Sequence, residues 1–332
     1  TPIKSSAASD VYKRQKMDMY QKRKIRAEKK NNDSQESFSK VSISWYPGHM
    51  AKTMKQLETD LKLVDVVVEI LDARIPVSSQ NPEAQKLIKN KKKIVVLNKS
   101  DLANEIENKK WLKYFEKKQI PAILCNSNNG EGANKIINKL NEMMSEEKNI
   151  AQQKGRNKIV RAMIIGIPNV GKSSFINRVS KKTSMRVGNK PGVTKNKQWI
   201  RLTSNVELLD TPGVLWPKFE NETIGYHLSI SGSINDTILP IVDVAIYFID
   251  FLQHYYPTTL DKRYQIDCSN AHAHEILEKI AEKQKYFLAN KEYDLERTSL
   301  FIIQEARNGY FGRFTLDTVS YTHLRAHETR SN

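Results

Sequence analysis

Four residues near the middle of the chain have the types and the spacing that phosphate binding requires. Gly166, Gly171, Lys172 and Ser173 follow the pattern G-x-x-x-x-G-K-[ST]. The glycines let the backbone curl until its N–H groups point at a phosphate chain, and the lysine adds a cation. We therefore expect a nucleotide triphosphate here. The loop residues expected to contact it are Asn169, Val170, Gly171, Lys172, Ser173 and Ser174.

A second motif, Asn98-Lys99-Ser100-Asp101, follows an apolar run and can read a guanine base. A carboxylate at Asp101 accepts hydrogens from guanine N1 and the 2-amino group, and adenine lacks both donors. Such discrimination can reach about 10⁴-fold or more. Asn98 would brace neighbouring loops and touch the base, and the Lys99 stem would cover the ring. Taken alone, Asp101 could equally cap a helix; its place after a strand, in a chain with a phosphate loop, favours base reading.

A third loop, Asn126 to Gly132, follows a short apolar stretch and is rich in asparagine and glycine. It lies where a second guanine-contacting loop is expected. We predict that Asn126 and Ser127 border the base and that the Ser127 N–H donates to guanine O6. A simple glycine-rich connection between a strand and a helix remains the alternative.

Three oxygen-bearing side chains are candidates for a Mg²⁺ ion beside the phosphates. The Ser173 hydroxyl follows the lysine, Thr194 ends a Pro/Gly loop, and Asp210 follows an apolar run. Asp210 would hold the ion through water, and the Gly213 N–H would sense the γ-phosphate. Without the other motifs, Thr194 would be an ordinary loop residue.

The elements that must position these residues are predicted from apolar runs that end at the motifs. Such runs are typical of buried parallel strands, whose carboxyl ends meet at one edge of a sheet. Glu146 to Lys158 has no apolar period and is interpreted as a linker. The segment 217–318 is predicted to be helical, with Val244, Phe248 and Leu252 on one face. A second predicted face comprises Ile276, Leu277, Ile280 and Phe287.

Composition limits the class of partner and of compartment. The formal net charge of the 332 residues is +17, which favours a polyanionic partner, nucleic acid ahead of membrane. Lysine-rich solvated surfaces could account for part of that charge. Cys125 and Cys268 form no disulfide framework, so we expect a reducing cytoplasm. The longest apolar run, Ile241 to Leu252, is about half of the ~20 residues that a membrane helix needs.

The chain is predicted to comprise a basic extension, a nucleotide-binding domain and a helical domain. The extension spans residues 1–43, the nucleotide-binding domain 44–216 and the helical domain 217–318. Residues 1–16 and 319–332 match no neighbouring element, and we interpret both as artefactual additions. The natural chain is then expected to begin near Met17 or Met19 and to be cut short after about Thr318.

The order of the motifs resembles that of the circularly permuted GTPases, and among them the YlqF/RbgA family of large-subunit ribosome biogenesis GTPases. In ordinary GTPases the phosphate loop precedes the base motif, whereas here it follows. The resemblance spans residues 45–317 and rests on several motifs. These are WYPGHMAK, DARIP, NKSD, GIPNVGKSS, PGVT, DTPG and ERTSLFIIQEARNGYFGRF. It implies an α/β P-loop GTPase fold with permuted motif order plus a C-terminal helical domain.

The resemblance also implies cofactors and partners. These are GTP with Mg²⁺, and a large ribosomal subunit precursor whose rRNA contacts the helical domain. We expect no membrane or DNA partner, and a monomer away from the ribosome. The helical domain could instead be a cap that only completes the core. Two other functions remain open: a permuted GTPase of the small subunit or an organelle, and an RNA-binding protein using GTP only as a structural ligand.

Family resemblance nominates two further site residues. Many GTPases orient the attacking water with a glutamine after the DTPG-like motif, but this chain has Val214 and Leu215 there. Similarity to the family nominates His49 for that role, although a turn histidine could be structural. In similar GTPases, an asparagine at the position of Asn169 accompanies dependence of the protein on a bound K⁺ ion. Family members usually carry serine where this chain has Asn126, which weakens the assignment of that loop.

Overall fold

The computed structural model describes residues 48–180, 198–216, 219 and 221–319, which form six strands and eleven helices. The strands are β1 (Val66–Asp72), β2 (Lys92–Asn98), β3 (Ala122–Leu124), β4 (Val160–Ile165), β5 (Gln198–Thr203) and β6 (Val206–Asp210). The helices are α1 (Gly48–Leu61), α2 (Pro82–Ile88), α3 (Glu105–Lys117), α4 (Ala133–Met143), α5 (Ser145–Gln153), α6 (Lys172–Ser180), α7 (Glu222–Ile230), α8 (Ile241–Tyr255), α9 (Thr259–Tyr264), α10 (Ala273–Lys283) and α11 (Leu295–Asn308).

The strands form one sheet in the order β3-β2-β1-β4-β6-β5. Neighbouring strands are parallel except β5 and β6, which are antiparallel. Every residue of β1 is buried, as expected for a central parallel strand covered on both faces. The predicted α/β class with a parallel-rich sheet is therefore confirmed. Strand β5 was not predicted, because it lies at the edge and exposes alternate residues such as Trp199.

Helices cover both faces of the sheet. On one face, α1 and α2 bury Leu57, Leu61 and Ile88 against β1, β4 and β6. On the other face, α4 and α6 contribute to a larger apolar cluster, with Ile136 and Phe175 among its members. On the same face as α1 and α2, helix α3 packs Trp111 and Phe115 against Leu71 of β1 and against Val95 and Leu97 of β2. The core therefore holds the carboxyl ends of the strands in fixed positions.

Two sequence interpretations differ from the structure. The predicted linker at 146–158 contains helix α5, Ser145–Gln153, which buries none of its residues and so lacks an apolar period. Phe287 was predicted to share the helical face of Ile276, but α10 ends at Lys283. Lys285 then adopts a left-handed conformation with φ 56°, and Phe287 pairs with Tyr293 and is 45% exposed.

The helical region from α7 to α11 is organised around α8. Val244, Phe248 and Leu252 on α8 are buried, as are Ile276 and Ile280 on α10. These residues belong to the same apolar cluster as one face of the sheet, so the boundary at residue 216 stays a prediction. Among the helices of the described ranges, none combines the length and the apolar character needed to cross a bilayer.

Candidate nucleotide-binding site

The motif loops converge because each follows a parallel strand of one sheet. The loop at Ala73 follows β1, Lys99 follows β2, Asn126 follows β3, Gly166 follows β4 and Thr211 follows β6. The carboxyl ends of these strands form one edge, and ligands of α/β sheets bind at that edge. The permuted order of the motifs therefore leaves their spatial arrangement intact.

The backbone of the phosphate loop packs closely against residues at the ends of β1 and β2. A Cβ atom on Gly166 would lie 2.5 Å from the Ile70 carbonyl oxygen. Gly171 has φ +95°, and a Cβ there would lie 2.2 Å from Nδ2 of Asn98. Only glycine fits these two positions, which is the physical reason for the glycine spacing of the motif.

The lysine of the loop is buried and held by the loop itself. Nζ of Lys172 donates to the carbonyl oxygens of Gly166, at 3.0 Å, and Ile167, at 2.8 Å. Burial lowers the pKa of Lys172 to about 8, against the opposing effect of Asp210. The helix α6 begins at this residue, so Ser173 and Ser174 lie in its first turn with their N–H groups at an anion-binding terminus.

Asp210 ends β6 and carries a fully buried carboxylate. Both carboxylate oxygens are buried and have no hydrogen-bond partner within the described part of the chain. Burial raises the pKa of Asp210 to about 6, although Lys172 opposes that shift. Buried polar atoms in native proteins are almost always satisfied, so these two oxygens fit the hydration shell of a bound Mg²⁺.

The segment after Asp210 is pressed onto the phosphate loop. A Cβ on Gly213 would lie 2.8 Å from Nζ of Lys172 and 2.8 Å from the Pro168 nitrogen. Val214 and Leu215 are buried, and the Asn81 amide donates to the Val214 carbonyl at 3.0 Å. The two apolar side chains belong to the core, so neither presents a polar atom to the site.

Asn98 links three loops at the guanine side of the site. Its Nδ2 donates to the Val170 carbonyl at 2.7 Å, in the phosphate loop. Its Oδ1 accepts from the Ser127 N–H at 3.1 Å and from the Ser127 hydroxyl at 2.7 Å. Oδ1 of Asp101 is buried and has no hydrogen-bond partner among the residues that the structure describes. That oxygen is therefore available to the donors of a guanine base.

The third loop is held by bonds to Asn98 and within its own turn. The Ser127 N–H donates to Oδ1 of Asn98 at 3.1 Å, and its donation to guanine O6 stays a prediction. Asn126 accepts from the Asn128 N–H at 2.9 Å and so shapes the turn of the loop. Arg178, on α6, donates to the Ser127 carbonyl at 3.4 Å and to the Asn128 carbonyl. The sequence carried no signal for Arg178, because the contact joins residues that are far apart along the chain.

Three predicted site residues require separate comment. Thr194 lies outside the described residues, and so does the side chain of His49, whose backbone lies in the first turn of α1. Later residues of α1, including Lys52 and Thr53, border a cavity of about 370 Å³ that reaches Gly166 and Thr211. Asn169 adopts φ 59°, and its Nδ2 donates to the Gly232 carbonyl at 2.7 Å, in the helical region.

The sheet order and the loops at its edge define a P-loop GTPase with circularly permuted motifs. A sequence model described as "50S ribosome-binding GTPase" matches residues 161–291. Ribosome biogenesis GTPase A of Bacillus licheniformis is 42% identical over 276 residues, which cover 83% of this chain and 98% of that protein. The chain belongs to the ribosome biogenesis GTPase A (RbgA/YlqF) family, as its motif order predicted.

Solved structures agree with that assignment. GNP-bound YlqF from Thermotoga maritima is similar with a TM-score of 0.58 and 26% identity, covering 80% of this chain and 98% of that chain. GDP-bound YlqF from the same organism is similar with a TM-score of 0.59, covering 80% and 99% of the two chains.

Proposed function

We propose that this protein binds GTP with Mg²⁺ and hydrolyses GTP during assembly of the large ribosomal subunit. The observation that carries the proposal is a set of buried carboxylate oxygens with no hydrogen-bond partner among the described residues, at the edge where the described motif loops meet. They are Oδ1 of Asp101 and both oxygens of Asp210. One carboxylate suits a guanine base and the other suits a hydrated cation. The name of the relatives, ribosome biogenesis GTPase A, supplies the cellular process.

At the phosphate end, the backbone N–H groups from Val170 to Ser174 surround the β- and γ-phosphates, and the Lys172 ammonium neutralises them. Lys172 exchanges its carbonyl partners for phosphate oxygens of the substrate. Ser173, Thr194 and, through water, Asp210 would hold the Mg²⁺. The ion would withdraw negative charge from the phosphate oxygens. The Gly213 N–H contacts the γ-phosphate, and a larger residue does not fit beside Lys172 and Pro168.

At the base end, Asp101 accepts hydrogens from guanine N1 and the 2-amino group. Asn98 keeps this loop aligned with the phosphate loop through its bonds to Val170 and Ser127. The stem of Lys99 covers one face of the ring, and Asn126 shapes the adjoining loop. For the Ser127 N–H to donate to guanine O6, it must leave Asn98 when the nucleotide enters.

Hydrolysis requires a group that orients water, and we assign that role to His49. Val214 and Leu215 are buried and apolar, so the position after DTPG is unsuitable. Helix α1 begins at Gly48, and its later residues border the cavity beside Gly166 and Thr211. An imidazole there can accept a hydrogen bond from water at neutral pH.

His49→Ala should lower particle-stimulated GTP hydrolysis about 10²-fold or more, because general-base and positioning effects are of that size. The Kd for a non-hydrolysable GTP analogue should stay within about twofold, as one uncharged contact is worth little. Lys55→Ala, on the exposed side of α1, is the control and should hydrolyse GTP like the parent. Equal loss of binding and hydrolysis would contradict the assignment and indicate a folding role.

A K⁺ ion is the proposed partner of Asn169. Oδ1 of Asn169 is the side-chain atom that a cation would contact, because the amide oxygen carries the lone pairs and the amide nitrogen is a donor. A bound cation would supply positive charge near the phosphates. Hydrolysis rates in KCl and NaCl at equal ionic strength test this, and equal rates in the two salts would remove K⁺ from the site.

The partner is a precursor of the large ribosomal subunit, contacted through rRNA by the helical region and the basic extension. The net charge of +17 suits a polyanionic surface. We propose a cytoplasmic protein, monomeric away from the ribosome, with no membrane or DNA partner. Sedimentation with ribosomal precursors in a non-hydrolysable GTP analogue tests the assignment. Co-sedimentation with small-subunit particles alone, or hydrolysis that large-subunit particles fail to stimulate, would contradict it.

A further inference from the structure

The Asp72 carboxylate in the DARIP motif is the centre of a buried ion-pair cluster beside the base-reading loop. Asp72 ends β1 and lies in register with Asn98 at the end of β2. Oδ1 accepts from the backbone N–H and from Nε of Arg74, both at 3.0 Å. Oδ2 lies 2.8 Å from Nη2 of Arg74 and 2.9 Å from Nζ of Lys99. The carboxylate side chain is fully buried.

This carboxylate is ionised. Burial alone would raise the pKa of Asp72, but the adjacent Arg74 and Lys99 cations hold it well below its ordinary range. A buried carboxylate that two cations contact loses part of its charge compensation when either cation moves away, and that loss is costly in a buried site. The cluster therefore resists displacement of Lys99.

Lys99 is the residue of the base motif that this cluster restrains. It adopts a left-handed conformation, φ 57°, between Asn98 and the turn that carries Asp101. Its ammonium is tied to Asp72, so only the aliphatic stem is left to face the nucleotide. The ion pair between Lys99 and Asp72 therefore restrains the aliphatic stem of Lys99 and, through that stem, the backbone that precedes Asp101.

The other side of the cluster is attached to the helical region. Nη2 of Arg74 lies 3.5 Å from the Ser231 carbonyl, and its guanidinium lies 5.9 Å from the centre of the Phe314 ring. The Arg74 carbonyl accepts from the Leu316 N–H at 2.8 Å, and the Leu102 carbonyl accepts from the Phe314 N–H at 3.1 Å. The segment 314–316 therefore contacts both the DARIP loop and the base-reading loop.

We propose that Asp72 is a positioning residue for guanine nucleotides, which holds Lys99, and through it Asp101, against the base. The inference rests on the proposed function. It assigns a role to the DARIP motif, which otherwise supplies no group to the nucleotide. In this proposal Asp72 acts through Lys99 and not through a contact of its own with the base or the phosphates.

The test is a double-variant cycle in which the affinities for fluorescent GDP and for fluorescent IDP are measured. The IDP base lacks the 2-amino group of guanine. Asp72→Asn should weaken GDP binding about tenfold, or about 1.4 kcal/mol, and bring the GDP and IDP affinities closer together. Lys99→Met keeps the stem and removes the charge. In that background Asp72→Asn should cause no further loss of GDP affinity, because the two residues act through one contact.

The control is Glu305→Gln, in the helical region. Glu305 is also a buried carboxylate bonded to an arginine, Arg263, and to the Tyr264 hydroxyl. This variant should unfold at a lower temperature yet keep the GDP affinity and the GDP-to-IDP ratio of the parent. The control therefore distinguishes the general effect of losing a buried ion pair on stability from the effect of losing the Asp72–Lys99 pair on guanine binding.

Two results would overturn the proposal. One is a folded Asp72→Asn variant that binds GDP within twofold of the parent. The other is a double variant in which the two losses of GDP affinity multiply. If Asp72→Asn does not fold, the double variant, which removes one cation with the anion, is compared with Lys99→Met. Equal GDP affinities support positioning, and a further tenfold loss contradicts it. If the parent itself binds no GDP, the proposed function fails rather than this inference.

Discussion

One carboxylate oxygen of Asp101, Oδ1, is buried and has no hydrogen-bond partner among the described residues. A buried acceptor of this kind destabilises the folded protein unless a ligand donates to it. We attribute the missing donors to guanine. Asp101→Asn should therefore lower GTP affinity and favour xanthosine triphosphate, whose additional carbonyl accepts from the new amide. The expected change in preference is about 10²-fold or more, by the same pairing argument that separates substrates differing in one polar group.

Competition between the two triphosphates for a fluorescent GTP analogue measures that preference. Asp250→Asn, an exposed substitution on α8, should leave it unchanged. A preference that Asp101→Asn does not alter would remove Asp101 from the base site.

The absence of a side chain at Gly171 lets the phosphate loop approach Asn98 of the base-reading loop. Gly171→Ala places a methyl group against the Asn98 amide and also strains the backbone at φ +95°. We expect GTP affinity to fall at least tenfold, because Asn98 would lose its bonds to Val170 and Ser127. Titration with a fluorescent nucleotide measures the loss.

Gly155→Ala is the matched control for that substitution. Gly155 has φ +69°, but no atom lies within 4 Å of the added methyl. It carries a similar backbone strain without the contact, so its GTP affinity should equal that of the parent. Equal weakening by both substitutions would assign the effect to strain.

At the scale of elements, β1 carries a buried acid whose ionisation opposes folding. Glu69 is bonded to Gln85 and lies 3.8 Å from Nζ of Lys93. Burial raises its pKa from 4.5 to about 7, while Lys93 opposes the shift. Since the folded pKa exceeds the unfolded one, the protonated form stabilises the fold. That contribution is complete below about pH 4.5 and is lost as the pH rises to about 7.

Glu69→Gln should therefore raise the free energy of unfolding at pH 8 by roughly 1–3 kcal/mol and flatten its pH dependence between about pH 5 and 7. Urea unfolding followed by circular dichroism at several pH values measures both effects. Glu116→Gln, on the exposed face of α3, should change neither. A variant less stable than the parent at pH 8 would contradict the expected sign.

Elements with strong apolar periods were predictable, and elements without them were not. The runs that became β1, β2 and β4 were recognised because both faces of a central strand are apolar. Helix α5 and strand β5 were missed because α5 buries nothing and β5 exposes one face. Phe287 was assigned to a helix because periodicity alone gives no sign of the left-handed turn at Lys285.

At the scale of the whole molecule, Asp317 joins the helical region to the loop after β1. Its carboxylate accepts from the N–H groups of Val77, at 2.8 Å, and Ser78, at 2.7 Å. It also bonds to the Ser78 hydroxyl at 2.9 Å and to Nδ1 of His227 at 2.8 Å. Burial opposes ionisation of Asp317, but the bonds from His227 and Ser78 lower its pKa below the ordinary value.

Asp317→Ala should lower the free energy of unfolding by about 2–4 kcal/mol, since several buried donors lose their acceptor. The folded pKa lies below the unfolded one, so the stabilising effect of Asp317 is present at neutral pH and is lost on acidification. The difference between parent and variant should therefore shrink below about pH 4.

Urea unfolding at neutral pH and at a pH below 3.8, the ordinary pKa of an aspartate, measures this difference. Asp267→Ala, an exposed substitution in the helical region, should change stability by no more than about 0.5 kcal/mol. A difference for Asp317→Ala that is constant with pH would contradict an ionised Asp317.

The class of protein and its chemistry followed from local sequence. Three local patterns indicated them: the spacing of the glycines, the order of the carboxylates and lysines, and the apolar run before each motif. Each of these patterns depends only on residues that are close together along the chain. Gly166 and Gly171 could be recognised because their spacing is that of a phosphate-binding loop, although the contacts that require glycine there are made with Ile70 and Asn98. The carboxylates Asp101 and Asp210 were predictable because ligand chemistry selects their type.

Only the tertiary structure established which residues meet across the sheet. The contacts of Asn98 with Val170, of Lys99 with Asp72 and of Asp317 with Ser78 join segments that are distant along the chain. No local pattern encodes such pairs, because they depend on strand order and on the packing of the helical region. The oxygens of Asp101 and Asp210 that have no hydrogen-bond partner among the described residues likewise became evident only from the tertiary structure.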